Sequence, residues 1–198
     1  MENAELQKKA RKLQVLTIVW MTVEAAVSLL VAAKARSVAL VGFGGDSAIE
    51  LISAVLVYWR FRHRPGISER TAAKLAAGLL FGLAAFILCA SVLVLVRPKL
   101  SSESSLIGIA VLMVAAIGMP LLAQRKRALA KVLESDALKA DATQSSVCGY
   151  LAWIALAGLV LNAAFHLSWA DPLAALLLLP IVLKEANEAR QGTTCQRE

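Results

Sequence analysis

Charge is scarce in this chain. Asp, Glu, Lys and Arg make up 18% of its 198 residues, 59% are hydrophobic, and the mean hydropathy is +0.68. Soluble domains carry about 25% charged residues, so this composition excludes an ordinary soluble fold and indicates a membrane protein. Cysteine is also sparse. Cys89, Cys148 and Cys195 are odd in number and far apart, and two of them lie in apolar runs, which leaves no basis for a disulfide framework. The two histidines, His63 and His166, do not make either basic loop His-rich. The sequence has no HExxH, GxSxG or Ser/Lys arrangement, which argues against an intramembrane hydrolase and against an enzyme generally. No nucleic-acid motif accompanies the net charge of +7, and the basic residues sit in short connections, where they act as topology signals.

What the chain has instead is a series of long apolar runs. Residues 1–12 (MENAELQKKARK) form a short basic amphipathic lead-in. The run after it spans roughly 20 residues, too long for the apolar part of a cleaved signal peptide, so it is expected to remain as a helix. Six spans are expected, at residues 13–33, 38–59, 72–96, 106–123, 140–167 and 172–183. They make an all-α six-helix membrane bundle over 13–183, with a short polar tail over 184–198 and no soluble C-terminal domain. Pro65-Gly66 signals a turn after the second span, and Pro120 is expected to kink the last turn of the fourth. The charged stretch QRKRALAKVLESDALKAD has helical periodicity and is expected to extend the fifth helix backwards into water. Gly78 and Gly82 suit close helix contact, as do Gly42, Gly44 and Gly45.

Basic residues set the expected orientation. With the N-terminus inside, 17 of the 21 Lys and Arg residues fall in interior segments, and only Lys34, Arg36, Arg97 and Lys99 fall outside. The positive-inside rule then places both termini in the cytoplasm, with the protein expected in the cell membrane.

Against this apolar background, Asp46 and Glu50 stand out in the middle of the second span. A carboxylate at that depth costs at least ~2.5 kcal/mol to insert, so it faces a cavity, a partner or an ion. Positions i and i+4 share one helix face, which directs both acids at the same neighbour. In the fifth span Asp141, Gln144, Ser145 and Cys148 form a second polar stripe. At 1.5 Å per residue, Glu50 lies ~15 Å from Arg60 and Cys148 ~13 Å from Lys139, so the stripes can meet at one depth. Asp46, Glu50, Gln144 and Cys148 are the candidate metal ligands, and a thiolate among oxygens favours a borderline-soft ion such as zinc. Asp141 and Glu24 are candidates for supporting or proton-carrying roles. Asp171, before Pro172, suits a helix cap, and His166 an outer interface.

The runs SVALVGFGGDSAIELISA and LKADATQSSVCGYLAW resemble the second and fifth membrane helices of the cation diffusion facilitator (cation efflux) family, and Trp169-Ala170-Asp171-Pro172-Leu173 resembles the start of its sixth. The likeness extends along nearly the whole chain and is most specific around the second helix, whose GFG-x-DS-x-x-E form resembles that of a branch of small vesicular zinc transporter-like relatives. Asp46 and Glu50 fall on that family's two acidic positions. Gln144 and Cys148 fall on its helix-five positions, where His or Asp is usual. The resemblance implies export of a divalent metal, zinc favoured, in exchange for protons, with the metal as cargo and no permanently bound cofactor. A dimer of this chain would be held together by membrane helices. Two rival readings remain: a metal-independent, proton-coupled exporter of a small solute, and a non-transporting membrane subunit or sensor that binds metal.

Overall fold

The computed structural model describes residues 2–61, 69–97, 102–103, 105–132 and 136–191. Among them are six α-helices and no strand: α1 (Glu2–Ala35), α2 (Val38–Phe61), α3 (Glu69–Val96), α4 (Leu106–Val132), α5 (Asp136–Phe165) and α6 (Ala170–Gln191). His63, the expected Pro65-Gly66 turn and Cys195 lie outside the described residues. Four helices contain stretches long and apolar enough to cross a membrane: Val15–Ala35, Lys74–Val96, Leu106–Val132 and Asp141–Phe165. The second and sixth expected spans are not among these four. The second expected span reaches beyond the residues of α2 whose side chains are described, and in α6 an apolar run of only 172–183 precedes Lys184 and Glu185.

Three boundaries differ from the sequence expectation. First, α1 is continuous from Glu2, because residues 2–12 are good helix formers with no Gly or Pro to separate a lead-in from the span. Second, QRKRALAKV belongs to α4 rather than α5. Its Lys126, Leu129 and Ala130 turn inward and continue the buried stripe of Met119 and Ala123. Pro120 therefore lies inside α4 and not in its last turn. Its ring packs on Gly149 of α5, where a Cβ would come within 2.8 Å of it. Third, α6 continues to Gln191, since Val182 and Ala186 still pack into the bundle.

α2 is the central helix, packed against α1, α3, α5 and α6. Its glycines allow this. A Cβ on Gly44 would lie 2.9 Å from the Ser28 Cβ and 3.2 Å from the Leu29 backbone nitrogen of α1, while Gly42 and Gly45 meet α3 and α6 side chains as closely. Phe43, Leu40, Ile87, Leu112, Met119, Leu151 and Leu178 fill the core around it. By contrast, nothing lies within 4 Å of a Cβ built on Gly78 or Gly82, so neither glycine serves the helix contact expected of it. They lie on an outward face of α3, alongside exposed Leu79, Phe86 and Leu93.

The start of α2 is fixed from both sides. Arg36 takes a left-handed backbone (φ 53°) after α1, and the Ser37 amide returns to Ala32 O at 3.2 Å, closing a Schellman turn. Ser37 Oγ accepts from the Leu40 amide at 3.1 Å as the α2 N-cap, and it donates to Asp171 Oδ1. Asp171 Oδ2 accepts from the Val38 amide at 2.9 Å. Asp171 is thus a cap as its position suggested, but for α2 rather than its own helix.

Candidate cation site

Three polar clusters lie side by side around α2. The first joins Asp46 and Glu50, one turn apart on α2, to Glu185 of α6. Each offers a carboxylate oxygen, and these oxygens all lie within 4.8 Å of one another. Asp46 has no solvent exposure. Among the described residues no hydrogen-bond donor reaches either of its oxygens, and Glu50 Oε2 and Glu185 Oε2 are likewise unbonded. Gln144 of α5 bridges the other side. Its Nε2 donates to Glu50 Oε1 and reaches Glu185 Oε1 at 3.4 Å. Turning this amide over would present its oxygen instead.

Three carboxylates this close, one of them fully buried, cannot all stay ionised without compensation, because each like charge raises the cost of the others. Neutrality requires protons, a cation, or both. The donor set is chemically suited to a divalent cation: three carboxylates supply oxygens, an amide adds one more, and zinc, manganese and magnesium all accept such ligands.

The second cluster centres on Glu24 of α1, which is 1% exposed. Its carboxylate accepts from Trp20 Nε1 at 2.7 Å, Ser47 Oγ at 2.8 Å and Cys148 Sγ at 3.4 Å. Ser47 and Cys148 also approach each other at 3.9 Å. This carboxylate is well satisfied, unlike those of the first cluster.

In the third cluster, Lys126 of α4 has no solvent exposure and places Nζ 2.9 Å from Asp141 Oδ2 and 2.9 Å from Ser145 Oγ, both on α5. The sequence reading counted Lys126 among the cytoplasmic loop charges; the structure buries it.

Of the four candidate ligands, Asp46, Glu50 and Gln144 come together, while Cys148 turns to Glu24 and Ser47. Asp141 joins Lys126, and Glu24 forms its own network. Glu185 and Lys126 were missed because both follow the apparent end of an apolar run. Helical spacing carries the signal for each: Glu185 continues the stripe of Leu178 and Val182, and Lys126 that of Met119 and Ala123.

These features define a class: an all-helical protein whose apolar helices surround a buried, donor-poor acidic cluster. Compared with protein-family models and with curated proteins, the sequence matches none.

Proposed function

We propose that this protein is an integral membrane transporter that exports a divalent cation, zinc being the first candidate, in exchange for protons. The carrying observation is the convergence of Asp46, Glu50 and Glu185, with both oxygens of the fully buried Asp46 lacking a hydrogen-bond donor. In this reading α2 and α6 cross the bilayer together with the four longer apolar helices, as the resemblance to the cation efflux family implies. Both termini are cytoplasmic, and the cell membrane is the site of action. Glu185 lies beside exposed Lys184 and Glu188, which supports an acidic cluster reached from the cytoplasmic end of the bundle.

The mechanism follows from charge balance. Carboxyl groups release protons to take up a cation, and they must take protons back to release it. A site open first to one side and then to the other therefore exchanges protons for metal. Gln144 contributes no proton, so Asp46, Glu50 and Glu185 carry them. Many large apolar side chains point outward, including Leu30, Phe86, Val96 and Leu106, as a lipid-facing surface requires.

Uptake by inside-out vesicles across zinc, manganese, iron, cobalt and cadmium tests the proposal. Flux of at least one metal, abolished in Asp46→Ala, is expected. Metal binding without flux would replace transport with a sensor or subunit role. Flux that neither responds to nor generates a pH gradient would remove the proton exchange.

A further inference from the structure

A fully buried lysine is costly, and α4 places one beside a cluster that is itself short of positive charge. Lys126 donates to Ser145 Oγ and pairs by charge with Asp141 at 2.9 Å, and Ser145 adjoins Gln144, the residue that donates to Glu50. Among the described residues, Glu24, Asp46, Glu50, Asp141 and Glu185 are the acids in or around the site; Lys126 is the fully buried base, paired with Asp141, while Lys184 and Glu188 flank Glu185 at the exposed side. Asp141 and Gln144 are one turn apart on α5, so the group holding Lys126 and the group bridging the acids move together.

We infer that Lys126 is a built-in competitor for the transported cation, held aside by Asp141 while the site is loaded and released toward Glu50 as the site empties. This rests on the cation-site reading above. A tethered ammonium of this kind weakens binding and hastens release, because part of the charge of the departing ion is replaced from within. Asp141 is then a positioning residue acting through Lys126 and not a ligand.

The two residues should show opposite effects. Zinc titration of the full chain in nanodiscs, followed by calorimetry, is expected to give about tenfold tighter binding in Lys126→Gln, or in Lys126→Met if the amide variant does not fold. Asp141→Asn should weaken binding by a similar factor, because it frees the ammonium. The decisive variant is the double one. If Asp141 acts only by restraining Lys126, Asp141→Asn costs nothing once Lys126 is Gln, whereas a simple field effect would cost the same factor in either background. Lys126→Arg keeps the charge and should bind like the parent. The inference is overturned if Lys126→Gln and Lys126→Met leave the affinity unchanged or weaken it, if Lys126→Arg tightens it equally, or if the two single effects are additive. Failure of the parent itself to bind zinc in an Asp46-dependent manner would overturn the cation-site reading, and this inference with it.

Discussion

Asp171 Oδ1 accepts from Ser37 Oγ at 2.5 Å while its Oδ2 accepts from the Val38 amide, so the first turn of α6 caps the first turn of α2. One carboxylate ties the sixth helix to the central one. Both carry acids of the candidate site, and this tie lies at the far end of α6 from Glu185.

Asp171→Ala should therefore act on stability before chemistry. It removes two hydrogen bonds to a buried acceptor and leaves the Val38 amide unpaired, a loss of about 2–4 kcal/mol. Thermal unfolding in detergent should show a clear drop in midpoint, with Asp171→Asn falling between the two. An unchanged midpoint would mean that the cap contributes nothing.

Glu185 provides the sharpest test of the site, because the sequence reading assigned it to the polar tail. Glu185→Gln keeps the size and removes one of three converging carboxylates. We expect zinc affinity to fall by about tenfold to a hundredfold, an effect of 1.4–2.7 kcal/mol. The exposed Glu188→Gln should stay within about twofold of the parent. Equal effects from the two variants would remove Glu185 from the site.

Protons and cation compete for the same oxygens, which fixes the direction of the pH dependence. Lowering the pH protonates the cluster and must weaken cation binding; raising it must strengthen binding until every participating carboxyl is ionised. Each proton displaced per ion makes log Kd fall by about one per pH unit. Asp46→Asn should flatten that slope in the binding of whatever cation it still holds. A pH-independent affinity in the parent protein would contradict the proposal.

The glycines divide into two groups with different expected costs. Gly44→Ala sets a methyl 2.9 Å from the Ser28 Cβ and 3.2 Å from a backbone nitrogen that cannot move aside, so α1 and α2 must separate, at a cost of about 1–3 kcal/mol. Gly78→Ala and Gly82→Ala meet open space and should leave stability unchanged or slightly higher. Thermal midpoints of the three variants in one detergent give the comparison. Destabilisation by Gly82→Ala equal to that by Gly44→Ala would show a contact on the outer face of α3.

By itself the sequence determined the helical class, the run of apolar segments, and the placing of Asp46 and Glu50 on one face, because hydropathy and a 3.6-residue period are local properties. It also showed that Gly42, Gly44 and Gly45 would bring neighbours close. Tertiary structure alone decided which polar groups meet. Asp46 and Glu185 lie 139 residues apart in the chain, and Cys148, although placed at the depth of the acids by sequence register, is turned by the rotation of α5 toward Glu24. Lys126 reads as a loop charge until α4 is seen to continue past Pro120 and bury it beside Asp141. Helix rotation and the persistence of a helix beyond its apolar run are set by packing against other helices, and no single segment encodes them.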